Sequence, residues 1–270
     1  MRKPAFVLLL TAVVAALPAS AHDTWLAAST DHVAPGATVT LTLTSGMDFP
    51  ALDHAIQADR VAGARVRTSA GKTSELAAGP VAKHALEFRQ KLSTPGVTTV
   101  WTELHPRPSE LKAEQVREYV EHLGLANPDA VIRTWAAHPD RQQVSYRYTK
   151  FAKTFVRVGS RDGAATSTQP AGMRLELVPA SDPTTARRGE SMRFQLLQDG
   201  KPLARYPVSV AREGSTTASS YTTDPSGFIT VDLPADGSYL VKAATLVASA
   251  APNTEWDVDF TTLTFNVRPH

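Results

Sequence analysis

From about residue 32 onward, apolar and polar residues alternate in short runs separated by turn-forming residues. In HVAPGATVTLTLTSG, Val39, Leu41 and Leu43 fall on one side and Thr38, Thr40, Thr42 and Thr44 on the other. Successive strand side chains point to opposite faces, so a period of two predicts a strand with one buried face. ARVRTSAGKTSEL predicts a hairpin turning at Ala70-Gly71, HALEFRQKL alternates again, and TPGVTTVWTEL opens with a Pro-Gly turn before a strand.

The period changes between Ser109 and His138. In SELKAEQVREYVEHLG, Leu111, Val116, Tyr119, Val120 and Leu123 recur at helical spacing, with Ser109 as the cap and Gly124 as the stop. A second helix over 128–137 carries Val131, Ile132 and Trp135. SYRYTKFAKTFVRVG then returns to strand, and SRDGAATSTQPAG, residues 160–172, is small and polar enough to read as a linker. From Met173 the strands MRLELVP, MRFQLL and YPVSVAR follow, with turns at Gln198-Asp199-Gly200-Lys201-Pro202, Asp224-Pro225-Ser226-Gly227 and Ala235-Asp236-Gly237.

These elements predict an all-β protein of two tandem immunoglobulin-like β-sandwich domains. The first covers 22–159 and carries a short helical insertion at about 109–138. A linker covers 160–172, and the C-terminal sandwich 173–270.

The start of the chain has a different pattern. Met1-Arg2-Lys3 is basic, FVLLLTAVVAAL is apolar, Pro18 follows, and Ala19-Ser20-Ala21 has the small–x–small form of a signal-peptidase site. This predicts a signal peptide, 1–21, cleaved after Ala21 to leave a periplasmic protein beginning at His22. The apolar run is too short to cross a bilayer, so no integral membrane segment is expected after cleavage. Loss of Arg2 and Lys3 balances the remaining charge against 26 acidic residues. That balance argues against nucleic acid as a partner, which would demand concentrated basic charge. The chain has no Cys, hence no disulfide, thiolate ligand or thiol nucleophile.

No phosphate-cradling glycine loop, metalloprotease helix motif or nucleophile elbow is present, and the chain reads as a non-enzyme. Asp257 and Asp259 in WDVDF share a strand face and could hold a cation, but alternation in an edge strand explains them as well. Aromatic residues make up only 7% of the chain, and no surface aromatic platform is evident, which argues against an oxidase.

Chemistry centres on the eight histidines. His32, His54 and His122 sit in polar or helix-surface settings, His138 precedes a proline, and His270 is last. His84 shares a predicted strand face with Leu86 and Phe88, and so points partly inward. His105 ends the strand bearing Trp101 and Glu103. His22 is distinct because processing would free its α-amine, and amine and ring together chelate one metal. A second histidine would complete a T-shaped nitrogen site suited to Cu(II) or Ni(II). The candidate metal ligands are therefore His22, His84 and His105.

AHDTWL also resembles the AHDFWL-type opening of a large bacterial family of exported proteins of unknown function, whose members are often labelled periplasmic components of nickel or cobalt uptake. The similarity continues through PGATVTLTLTSG, ELKAEQVREYVEHLG, YTKFAKTFVRVG, MRLELVPASDP, GKPLARYPVSV and EWDVDFTTLTF. The positions that carry over are His22, Asp23, Trp25 and Trp256. Phe151 stands in YTKFAK where some relatives have His, and YLVKAATL lacks a histidine expected of metal-labelled relatives. The resemblance implies a periplasmic protein binding a divalent transition metal (nickel, cobalt or copper), with a membrane transporter component as partner. The alternative is a metal-independent interaction or scaffold module for an outer-membrane transporter or extracellular polymer.

Overall fold

The computed structural model describes residues 22–138, 140–159 and 166–270. The predicted signal peptide and part of the predicted linker lie outside the described residues. In chain order the strands are β1 (Asp23–Ala28), β2 (His32–Val33), β3 (Ala37–Gly46), β4 (His54–Ala55), β5 (Val61–Arg67), β6 (Thr73–Glu75), β7 (Ala78–Val81), β8 (Leu86–Leu92), β9 (Gly96–Leu104) and β10 (Arg107–Lys112). Helices α1 (Ala113–His122) and α2 (Pro128–Ala136) come next, followed by the long β11 (Gln143–Val158). The chain continues through β12 (Leu175–Pro179), β13 (Ser191–Gln198), β14 (Lys201–Pro202), β15 (Pro207–Arg212), β16 (Ser219–Thr222), β17 (Phe228–Asp232), β18 (Gly237–Ala248) and β19 (Trp256–Val267).

The fold is all-β, as the alternation requires. Val39, Leu41 and Leu43 are buried along β3, and β5 and β6 form the hairpin around Gly71. At the β13–β14 turn, Asp199 and Gly200 both have positive φ (50° and 72°). Two such residues make the tight connection whose twist matches the flanking strands.

The helical insertion begins later than its spacing suggested. Residues 107–112 form β10, pairing Ser109 with Tyr146 and Leu111 with Val144 on β11, so Ser109 is a strand residue and not a cap. A backbone ladder to a long neighbour outweighs local helix signals here. The first turn of α1 is closed instead by Gln115, whose Oε1 accepts the Lys112 N–H at 3.0 Å. The Asn127 side chain caps α2 by accepting the Ala130 N–H at 3.1 Å, with Pro128 at the first helical position.

A ten-stranded sheet runs β16-β15-β18-β19-β11-β9-β5-β6, with β10 and β2 also on β11. The two halves of the chain meet where β11 and β19 pair in parallel, from Tyr146↔Trp256 to Lys153↔Leu263. A five-stranded sheet (β1-β3-β8-β7, with β4 on β3) and a four-stranded sheet of β12, β13, β14 and β17 pack against it. Residue parity shows how. Val100, Leu104, Ala152 and Val156 join the core under the five-stranded sheet, whereas Val97, Trp101, Phe151 and Phe155 join the core under the four-stranded one. Neighbouring residues face opposite ways, so the two smaller sheets cover opposite faces of the long sheet. Val144, Tyr146, Ala244 and Val258 form a third core with α1 and α2, on the same face as the five-stranded sheet.

The described part of the predicted linker, 166–172, is tied down. The buried Arg67 guanidinium donates to the carbonyls of Thr166, Gln169 and Pro170 at 2.9, 2.6 and 2.9 Å. Glu176, fully buried, accepts the N–H groups of Ala171, Gly172 and Met173 and pairs with the equally buried Lys153. Burial lowers the Lys153 pKa, and Glu176 works against that shift. The ion pair is tolerated in the interior because hydrogen bonds satisfy both partners.

Candidate metal centre

β1 is the outer strand of its sheet, and its free edge faces β19. An unpaired strand edge exposes carbonyls that need donors. Thr262 and Thr264 supply them, donating their hydroxyls to Thr24 O at 2.6 Å and Leu26 O at 2.5 Å. Asp23 pairs with Lys242 at 2.5 Å, and Lys150 donates to the carbonyl of His22 at 2.6 Å. Burial pulls the Lys150 pKa down to about 8, against the opposing pull of Asp23. The main chain at His22 is thereby fixed to β11, β18 and β19.

The second half of the site comes from a change of neighbour along β3. Up to Leu43 that strand pairs with β8. Beyond it β4 takes over, with Ser45 opposite His54, while on the other edge Ser45 faces Thr24 and Gly46 faces Asp23. His22 and His54 therefore flank the same end of β3. Gly46 lets Asp53 and Trp25 approach this end of the strand: a Cβ there would lie 2.9 Å from the Asp53 Cβ and 3.1 Å from the Trp25 ring.

Thr44, fully buried, organises the loop. Its hydroxyl donates to His84 O at 2.7 Å, lies 3.2 Å from His54 O, and accepts the Asp53 N–H at 3.2 Å. The His84 Nδ1 is 2.8 Å from the Asp53 carbonyl. A carbonyl can only accept, so Nδ1 is the donor in this bond.

The outcome is a group of three. His22, Asp53 and His54 each offer a ligand atom, and all of these atoms lie within 4.8 Å of one another. The His22 and His54 rings meet edge to face with centroids 5.2 Å apart, and the His54 Nε2 is 3.5 Å from the Asp53 carboxylate. Two imidazoles and a carboxylate suit zinc, copper, nickel or cobalt rather than a hard cation. The side chains of Asp53 and His54 are 47% and 63% exposed, so the site opens to solvent.

Of the histidines singled out from sequence, His22 belongs to this group. His84 does not point inward beside Leu86 and Phe88. It is exposed ahead of β8, and it orients the Asp53 loop from outside the trio. His105 is exposed beyond β9, where its N–H bonds to the Arg60 carbonyl at 2.8 Å, and it is not in the group. Asp257 and Asp259 are engaged by Arg147 and Arg174. The Arg147 hydrogen bond lowers the Asp257 pKa, while burial raises that of Asp259. Phe151 packs in the core on the far face of the long sheet, so a histidine side chain at that position would start from the face turned away from His22. Asp53, and His54, which was read from sequence as lying in a polar setting, are the candidate ligands that strand-by-strand reading missed. The signal was the acidic–histidine pair closing the turn after TSGMDFP.

Residues 19–246 match the model of a family described as a domain of unknown function, DUF4198. The chain belongs to the DUF4198 family. No curated protein matches this DUF4198 chain. Among solved structures it is similar to a mutant alpha-2-macroglobulin of Salmonella (13% identity, TM-score 0.24), covering 97% of this chain and 16% of that one. A second is the human OSCAR ligand-binding domain, with 16% identity, a TM-score of 0.20, and coverage of 88% of this chain and 95% of that one. A third is the D00-D0 domain of intimin, with 14% identity, a TM-score of 0.22, and coverage of 90% and 98%. This DUF4198 chain spans less than half the length of two of the structures it matches: 16% of the alpha-2-macroglobulin chain and 45% of a DUF4785 family protein from Legionella pneumophila.

Proposed function

We propose that this DUF4198 protein is exported to the periplasm, loses residues 1–21, and binds a divalent transition metal (nickel, cobalt or copper) as cargo at His22, Asp53 and His54. The observation that carries this reading is the convergence of those three ligand atoms within 4.8 Å at one sheet end. Cleavage after Ala21 would add the His22 α-amine, making a donor set of amine, two imidazoles and a carboxylate. Nitrogen-rich sets of this kind favour Cu(II) and Ni(II) on the stability order of divalent metals. Structural metal sites are closed off by four protein ligands. An open site with exposed ligands suits capture and release instead, consistent with delivery to a membrane transporter component.

Calorimetric titration of the protein beginning at His22 with Ni(II), Co(II) and Cu(II) tests the reading. One metal per chain is expected, with affinity reduced in His22→Ala and in His54→Ala. His105→Ala should bind as the parent does. Failure of every metal to bind the processed chain would favour the metal-independent scaffold.

A further inference from the structure

Away from the metal site, α2 lies across the ends of β18 and β19 and leaves an open groove of about 430 Å³. Its floor is apolar, formed by Val131, Trp135, Leu246 and Trp256. The two indole rings stand edge to face with centroids 6.2 Å apart. At the rim, Arg141 lies over the Trp135 ring at 5.7 Å and forms an ion pair with Glu255 at 2.5 Å. Arg141 and Glu255 keep 43% and 32% of their side-chain surface exposed. None of these residues belongs to the His22–Asp53–His54 group.

We propose that this groove binds a neutral pyranose oligosaccharide. The volume falls in the range of small-molecule sites, which combine apolar walls with a few fixed polar groups. The polar groups here decide the class of occupant. Arg141 and Glu255 cancel each other's charge, so an anionic ligand would meet Glu255 and a cationic one Arg141. Their pairing uses one guanidinium nitrogen and one carboxylate oxygen, which leaves further N–H donors and acceptor lone pairs side by side. A ring bearing hydroxyls around its edge and C–H groups on its faces matches both features: one face rests on the half-buried Trp256 indole, Trp135 being buried with Arg141 over its ring, and the hydroxyls meet donor and acceptor together. A purely apolar ligand would use the floor and leave the rim unused. This inference is independent of the metal-binding reading.

The test uses the chain from His22 to His270, without added metal, and three neutral probes: cellohexaose, maltohexaose and hexa-N-acetylchitohexaose. Binding is followed by tryptophan fluorescence and by saturation-transfer NMR. At least one probe should give a saturable signal at millimolar concentration or below. Trp256→Ala should weaken that binding by about tenfold, the upper end of what one aromatic contact contributes. Arg141→Ala, at an exposed position, should weaken it with an unchanged melting temperature, and it carries the test if Trp256→Ala misfolds. No saturable binding of any probe would overturn the proposal, as would parent-like binding by both variants. Binding of N-phenyl-naphthylamine that no sugar displaces would assign the groove to apolar ligands and equally overturn it.

Discussion

Thr262, near the end of the chain, donates its hydroxyl at 2.6 Å to the carbonyl oxygen of Thr24, two residues beyond His22. With Thr264 it substitutes for the missing neighbour of β1. Thr262→Val keeps the shape but leaves a buried carbonyl without its donor, at an expected cost of about 1–3 kcal/mol. Urea unfolding should register that loss. Because the same bond anchors the strand carrying His22, metal affinity should fall in the variant even at temperatures where it is fully folded.

Lys153 and Glu176 tie β11 to β12 and to the 171–173 segment ahead of it. Lys153→Met leaves the buried Glu176 carboxylate without its ion-pair partner. Such losses cost about 3–5 kcal/mol, and a reduced urea midpoint with an unchanged denaturant slope is the expected result. A loss below 1 kcal/mol would mean that the three backbone N–H groups on Glu176 hold the joint by themselves.

Asp257 gives stability a pH dependence of known sign. Its folded pKa is lowered, first by the Arg147 hydrogen bond, from an ordinary value of 3.8. The folded state therefore favours the carboxylate. The contribution is present above the unfolded value and is lost as pH falls through the lowered one. Asp257→Asn should be less stable than the parent at neutral pH, and the gap should close on acidification. Denaturation series at neutral and strongly acidic pH measure it directly.

A fragment of residues 171–270 retains the four-stranded sheet but loses β11 beside β19, together with Val97, Trp101, Phe151 and Phe155 from its core. It should melt well below the full chain. Equal melting temperatures would show that residues 171–270 are stable without those side chains.

Much of this architecture could be read from the order of residues. The alternation of Val39, Leu41 and Leu43 fixed β3, and the Asp199-Gly200 turn fixed a hairpin, because both signals are local. The long shared sheet was not legible. Both faces of β11 are covered, so Phe151, Ala152, Phe155 and Val156 are all buried and the alternation that would assign a face is lost. Its parallel partner β19 is more than 100 residues away. The candidate metal site divides the same way. His22 stood out because the expected cleavage after Ala21 marks it. Asp53 and His54 did not, because a two-residue strand, one buried threonine hydroxyl and the missing side chain of Gly46 bring them to His22, and none of these has a periodicity.

The most direct measurement of the central claim compares the protein beginning at His22 with one bearing a single extra methionine ahead of it. Both present the same His22, Asp53 and His54 side chains, but only the first has an α-amine placed to chelate with the His22 ring. Cu(II) or Ni(II) should bind the first with at least about tenfold higher affinity, equivalent to about 1.4 kcal/mol. Binding of both should weaken on acidification as protons compete for the nitrogen ligands. Equal affinities for the two proteins, unchanged again in His54→Ala, would contradict the account and place any bound metal elsewhere.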